Sequence, residues 1–166
     1  MKKVVKFGGS SLASAEQFKK VGDIIRADKS RRYVVPSAPG KRSSSDTKVT
    51  DMLYSCYNLA IREKKFTSLL DEIHARYNEI IDGLNLELSL DHEFDMIREN
   101  FGKKIGRDYA ASRGEYLNGI VMANYLGFCF IDAAEVIRFH EDGSLDDEKT
   151  NELLSLRLEG EEFAVI

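Results

Sequence analysis

The chain is poor in cysteine and has no long apolar run. Its two cysteines, Cys56 and Cys129, form no C-x-x-C pair, which argues against a disulfide framework or a thiolate metal site. No segment approaches the roughly 18 apolar residues of a membrane span. The apolar stretch after Met1 is broken by Lys6 before it reaches the length of a signal-peptide core. We therefore expect a cytoplasmic protein without a membrane partner.

An excess of positive charge is also missing. The 166 residues include 24 Lys and Arg against 28 Asp and Glu, so the formal net charge is -4. Because the basic residues are scattered rather than pooled, the electrostatic footprint of a nucleic-acid binder is absent, and we expect no nucleic-acid partner. The length alone predicts one globular domain.

The first forty residues have the pattern of a βαβ unit. Lys3–Phe7 is β-branched and aromatic and ends at a Gly-Gly turn, which predicts a short strand. Helical spacing of apolar residues follows over residues 15 to 28, and a second strand is predicted over residues 33 to 35. Strands connected through a helix in this way are expected to be parallel neighbours.

Helices and strands continue to alternate over the rest of the chain. Turn signals lie at Gly83, at Gly127 and at Asp142-Gly143. Helices are predicted over residues 50–63, 66–81, 90–101, 108–126 and, more weakly, 149–158; strands are predicted over 128–131 and 162–166. The fold class is therefore α/β, with a mostly parallel sheet flanked by helices.

A glycine turn between the first strand and the first helix is the first candidate site. Gly8, Gly9 and Ser10 can bring backbone N–H groups close to a phosphate, and Lys6 can add a full positive charge. The alternative is that the glycines only form a tight turn while the lysine faces solvent. The spacing is that of neither a P-loop nor a dinucleotide-binding fold.

A second candidate follows the second strand, where open α/β sheets bind ligands. Residues 37–40 read Ser-Ala-Pro-Gly, and residues 48–51 read Lys-Val-Thr-Asp. The hydroxyls of Ser37 and Thr50 can hold a carboxylate or phosphate, and Thr50 can also cap its helix. The alternative here is a solvated loop.

Two further motifs carry carboxylates. Glu115 follows Arg113-Gly114 near the start of a long amphipathic segment, where it either complements the helix dipole or selects a cationic group such as an ammonium. Asp132 follows the predicted strand at 128–131, and we favour a structural role for it.

Together these motifs resemble the aspartate kinases of the amino-acid kinase superfamily. The matching segments are KFGGSS at residues 6–11, VVPSAPG at 34–40, KVTDML at 48–53, RGE at 113–115 and FIDAAEVI at 130–137. The resemblance implies the amino-acid kinase, or carbamate kinase-like, fold. It also implies transfer of the γ-phosphoryl group of ATP to the β-carboxylate of L-aspartate, with Mg²⁺ accompanying the nucleotide, in the first step towards lysine, threonine and methionine.

The resemblance also implies roles for particular residues. Lys6 would stabilise the transferring phosphoryl group in catalysis. The phosphate-facing turn would be formed by Gly8, Gly9 and Ser10, and the aspartate substrate would contact Ser37, Thr50 and Glu115. One departure is the loop between Ser37 and Thr50, which is longer than the compact form common in the family, so that Thr47 is an alternative to Thr50.

The resemblance reaches only part of the family's catalytic domain. Its second half, which carries the nucleotide pocket, and the regulatory ACT domains have no counterpart here. We therefore expect residues 1–166 to be the N-terminal lobe of a truncated catalytic domain that is inactive alone. For the assembly we expect a homo-oligomer. The alternatives are a related kinase acting on acetylglutamate or uridylate, and a non-catalytic regulatory module with the same fold.

Overall fold

A four-stranded parallel sheet forms the centre of the molecule in the computed structural model, which describes residues 1–166. The strands are β1 (Lys3–Phe7), β2 (Arg31–Pro36), β3 (Cys129–Phe130) and β4 (Ala164–Val165). Their order across the sheet is β1-β2-β4-β3, and every neighbouring pair is parallel. The predicted α/β class and the parallel pairing of the first two strands are confirmed.

Seven α-helices and one short 3-10 helix connect the strands. The 3-10 helix spans Gly9–Leu12, directly after β1. The α-helices are α1 (Ala15–Arg26), α2 (Val49–Ile61), α3 (Thr67–Gly83), α4 (Asp91–Gly102), α5 (Arg107–Leu126), α6 (Ala133–Val136) and α7 (Asp147–Arg157). None of them is both long enough and apolar enough to cross a membrane.

Side-chain alternation along the strands gives the sheet an apolar cluster on each face. Val34 and Val165 belong to the main core, which the sheet forms with α1 to α5. Their neighbours Tyr33 and Ala164 belong to a second, smaller cluster, which includes residues of α6 and α7. The sheet is thus covered on both faces at its centre, as expected for a layered α/β protein.

β1 is an edge strand with one uncovered face. Val5 and Phe7 pack against the main core. Val4 is 67% exposed on the opposite face, where Lys6 is exposed as well. The side chain of Lys6 therefore lies on a face of the sheet that no other element covers.

The predicted elements and the observed ones differ in a few local details. The strand predicted over residues 128–131 is only two residues long, and the single turn α6 was not predicted because four residues carry no periodicity. Thr50 does not cap α2: the helix begins at Val49, after Lys48, so the capping prediction for this threonine was wrong. Ser14, in contrast, caps α1 by accepting from Gln17 N.

Candidate functional site

The carboxyl ends of β1 and β2 meet in two backbone turns that touch each other. Ser37 N donates to Phe7 O at 3.0 Å, which extends the strand pairing beyond the last residues of the sheet. Gly40 N donates to Gly9 O at 2.8 Å, so the two turns are also joined to each other. The first two candidate motifs therefore lie side by side at one edge of the sheet, where α/β proteins bind ligands.

Two of the glycines in these turns are required by packing. A Cβ atom on Gly9 would lie 2.7 Å from Ala38 O, and one on Gly40 would lie 2.5 Å from the carbonyl carbon of Gly9. Gly8 is different, because nothing lies within 4 Å of its Cβ position and its φ is -77°. The tight-turn explanation therefore accounts for Gly9 but not for Gly8, whose open side leaves room for a ligand.

Helix α5 carries Glu115 to the same place. A Cβ atom on Gly114 would lie 2.6 Å from Ala38 Cβ, so only glycine lets α5 approach the second turn so closely. Asn118, one turn further along α5, is fully buried and donates from Nδ2 to Ser37 O at 2.7 Å. Sequence reasoning missed Asn118, because the contact joins residues 81 positions apart.

A buried tyrosine on α3 supports the part of α5 that carries Glu115. The hydroxyl of Tyr77 donates to Gly114 O at 2.8 Å, directly before Glu115. Burial, together with the nearby carboxylate of Glu115, raises the pKa of Tyr77 well above its usual value. The hydroxyl therefore remains a hydrogen-bond donor throughout the physiological pH range.

These elements border a polar cavity of about 500 Å³ that is open to solvent. Its lining residues are contributed by both turns, by the start of α2 and by α5: Gly9, Ser10, Ser37, Ala38, Pro39, Gly40, Lys41, Lys48, Thr50 and Glu115. We call this space the polar cavity. This lining includes Ser37, Thr50 and Glu115, to which the resemblance to aspartate kinases assigns one substrate, although they lie in three separate segments of the chain.

The charges around the polar cavity have both signs. Lys41 and Lys48 line it, and neither of them takes part in an ion pair. Glu115 is the only carboxylate in the lining. A ligand with a carboxylate or phosphate at one end and an ammonium at the other matches this distribution. No role was predicted for Lys41, although its position beside Gly40 of the second motif was a signal.

A second, more apolar cavity of about 810 Å³ adjoins the polar one. Thr50 and Glu115 line both spaces and so mark their junction. Tyr116 and Phe130 contribute to its apolar wall. Asp132 also lines this space, while its side chain accepts from Ala134 N at 2.9 Å and caps α6, which agrees with the structural role favoured for it.

Three of the predicted residues are not part of the polar lining. Lys6 is exposed on β1, and Gly8, although part of the glycine turn, is not among the residues that line the polar cavity. Thr47, the alternative to Thr50, lines a different cavity between α2 and α3. Geometry thus brings Thr50, rather than Thr47, next to Glu115.

The chain has no cluster of three or more His, Cys, Asp or Glu side chains that could hold a metal ion. The polar cavity itself offers one carboxylate, that of Glu115, whereas Mg²⁺ is normally held by several oxygen ligands. These residues do not form a resident magnesium site.

Comparison with known proteins identifies the family of this chain. The sequence model of the amino acid kinase family matches residues 1–166, and the chain belongs to that family. Among solved structures, aspartate kinase from Clostridium acetobutylicum is 45% identical with a TM-score of 0.95, over 100% of this chain and 38% of that one. The resemblance to aspartate kinases and the expected fold are confirmed.

Two further relatives, both aspartokinases, match shorter segments of this chain. Aspartokinase 3 of Bacillus subtilis is 46% identical over 88 residues, covering 53% of this chain and 19% of the relative. Chloroplastic aspartokinase 1 of Arabidopsis thaliana is 30% identical over 158 residues, covering 89% of this chain and 27% of the relative. The chain spans less than a third of the length of either relative.

A more distant structure shares the fold alone. Aspartokinase III of E. coli, in a crystal structure with aspartate and ADP, is 20% identical with a TM-score of 0.73. The match covers 99% of this chain and 40% of that one.

Proposed function

We propose that the protein containing this chain phosphorylates L-aspartate with ATP. The reaction is the attack of a β-carboxylate oxygen on the γ-phosphorus of ATP. The bond from that phosphorus to the bridging oxygen breaks, and ADP leaves with 4-phospho-L-aspartate as the product. The attacking carboxylate is already ionised at neutral pH, so the residues at the site need no general base. Their task is to position both substrates and to neutralise charge.

The observation that carries this proposal is the composition of the polar cavity. Glu115 is suited to the substrate ammonium, and the hydroxyls of Ser37 and Thr50 are suited to its carboxylates. Lys41 and Lys48 add the positive charge that two carboxylates and a phosphate require. The 45% identity to an aspartate kinase over the whole chain supports the same substrate.

The phosphoryl group is assigned to the glycine turn. Gly8, Gly9 and Ser10 form the turn, and the open side of Gly8 suits a close approach by phosphate oxygens. Lys6, exposed two residues earlier on β1, would stabilise the charge that develops on the transferring group. Magnesium would arrive bound to the phosphates of the nucleotide, and no step here depends on a protein ligand to it.

The relatives are longer than this chain, which bears on the organisation of the enzyme. Residues 1–166 correspond to 38% of the Clostridium acetobutylicum aspartate kinase. We therefore regard them as the N-terminal lobe of the catalytic domain, with the adenosine-binding surface formed by other residues. A homo-oligomer in the cytoplasm remains our prediction for the assembled enzyme.

Trapping of the acyl phosphate with hydroxylamine tests the proposal. The complete gene product is incubated with ATP, Mg²⁺ and L-aspartate, and in parallel with acetylglutamate. With UMP, whose phosphorylation gives no acyl phosphate, the formation of UDP is measured instead. We expect aspartyl hydroxamate with aspartate alone, and about a hundredfold or greater loss of kcat on Lys6→Ala. Hydroxamate formation from acetylglutamate but not aspartate would contradict the substrate, and full activity of Lys6→Ala would contradict the role of Lys6. Residues 1–166 alone should give no hydroxamate.

A further inference from the structure

The loop between the two halves of the second motif, residues 41–47, is tied down by one buried side chain from α3. Arg76 is only 3% exposed. Its Nη1 donates to Thr47 O at 2.6 Å, and its Nη2 donates to Gly40 O. A single guanidinium therefore holds the carbonyl that precedes the loop and the carbonyl at its end.

A carboxylate completes this arrangement from within the loop. Asp46 lies 3.1 Å from Arg76 Nη2 and also accepts from the backbone N–H and the Nε of Arg42. Arg42 in turn reaches Glu79 on α3 at 2.8 Å. The hydrogen bond from Arg42 and the charge of Arg76 together hold the pKa of Asp46 well below its usual range. The loop is thus anchored to α3 by one charged network.

Burying a guanidinium is costly, and a well-packed apolar side chain is often at least as favourable for stability. Desolvation accordingly lowers the pKa of Arg76 despite its carboxylate partner. The presence of an arginine here is better explained by its shape than by stability, because the planar guanidinium holds several acceptors in fixed positions at once. The anchored positions lie next to the site: Gly40 contacts Gly9 of the glycine turn, and Thr47 precedes the first turn of α2, which carries Thr50.

We propose that Arg76 is a positioning residue for phosphoryl transfer, which sets the separation between the glycine turn and Thr50 by holding both ends of the 41–47 loop. This inference rests on the proposed function of the polar cavity. The loop residues themselves reach α3 and are fixed there, because Arg42 contacts Glu79 and Asp46 contacts Arg76. Arg76 itself touches no substrate in this assignment.

The test compares three variants of the complete gene product. Arg76→Met removes the fork but keeps an apolar side chain of similar length, and Arg76→Lys keeps the charge but cannot bind three acceptors in one plane. Arg98→Met is the matched control, because Arg98 makes exposed ion pairs with Asp71 and Asp95 on α3 and α4, away from the loop. Hydrogen exchange is measured along the chain, and KM and kcat are measured for aspartate.

In Arg76→Met we expect faster amide exchange at residues 41–48 with unchanged protection in α5. We also expect about a tenfold or greater fall in kcat/KM for aspartate, since small displacements of positioning groups are costly. Arg76→Lys should be intermediate and Arg98→Met unchanged. Unchanged exchange in the loop, or unchanged kcat/KM in a folded Arg76→Met protein, would overturn the inference. Loss of protection throughout the chain would also overturn it, because the role would then be general stability.

The outcome is separable from that of the proposed function. If the unmutated protein made no aspartyl phosphate, the function would fail, while the exchange measurement would still report whether Arg76 fixes the loop. If the unmutated protein were active and Arg76→Met equally so, the function would stand and the positioning role would fail.

Discussion

Gly9 and Gly40 are in direct backbone contact across the ends of β1 and β2. The amide of Gly40 donates to the carbonyl of Gly9 at 2.8 Å, and a Cβ atom on Gly40 would lie 2.5 Å from that carbonyl's carbon. This contact joins the turn assigned to phosphate with the loop that leads to the assigned substrate residues. Its closeness means that neither turn can move without the other.

Gly40→Ala should therefore disturb both turns. The added methyl group meets backbone atoms, which cannot rotate away, and we expect a loss of about 1–3 kcal/mol in the free energy of unfolding. Urea unfolding measures this loss. The control is Gly102→Ala at the end of α4, where nothing lies within 4 Å of the Cβ position and no loss is expected. Equal stability of the two variants would show that the turns are not packed as described.

Gly8→Ala, in contrast, should change the binding of ATP and leave the stability of the protein almost unchanged. Because Gly8 has an ordinary negative φ and an open Cβ position, the free energy of unfolding should stay within about 0.5 kcal/mol of the unmutated value. If phosphate oxygens approach this residue, the methyl group should nevertheless raise the KM for ATP. Unchanged stability and unchanged KM together would remove Gly8 from the phosphate turn.

Thr50 and Thr47 can be separated by their side chains. Thr50 lines the polar cavity, whereas Thr47 lines another cavity and contributes its carbonyl to Arg76. We expect Thr50→Val to raise the KM for aspartate about tenfold, the cost of one lost hydrogen bond to a charged group. Thr47→Val should leave it unchanged. The reverse result would assign the substrate contact to Thr47.

Glu115→Gln tests selection of the substrate ammonium. The carboxylate is exposed in the polar cavity, so its neutralisation should leave the fold intact. We expect binding of aspartate to weaken by about a hundredfold, while binding of succinate, which lacks the ammonium, changes little. Calorimetry with both ligands measures this difference. The control is Glu87→Gln, which changes an exposed side chain in the loop between α3 and α4. An equal effect on both ligands would argue against an ammonium contact.

Cys56 should make the protein less stable at alkaline pH. Burial raises the pKa of its thiol to about 12, whereas the thiol of an unfolded cysteine has a pKa of about 8.5. A raised pKa in the folded state gives stability that is complete below about pH 8.5 and is lost as the pH rises towards about 12. Urea unfolding between pH 7 and pH 10 should show a shallower decline for Cys56→Ala than for the unmutated protein. Parallel declines would contradict the buried thiol.

The local part of the fold follows from local patterns. The bounds of β1 were predicted to the residue, because β-branched residues and a Gly-Gly turn specify them within the segment itself. The helices from α1 to α5 were also predicted to within a few residues, since each has its own apolar spacing and ends at a glycine or a polar turn. The insertion of β4 between β2 and β3 was not predictable, because strand order depends on packing between distant segments.

For the candidate site, the sequence predicts which motifs could carry chemistry: the glycine turn, the serine and threonine hydroxyls, and Glu115. It also left open whether each of them faced a ligand or solvent. It is the packing of distant segments that places Ser37, Thr50 and Glu115 in one cavity with Lys41 and Lys48, and Thr47 in another. The supporting contacts of Arg76 and Asn118 join residues 36 and 81 positions apart. Such contacts have no signature in a single sequence, because a buried hydrogen bond depends on where the chain folds and not on which residues are its neighbours.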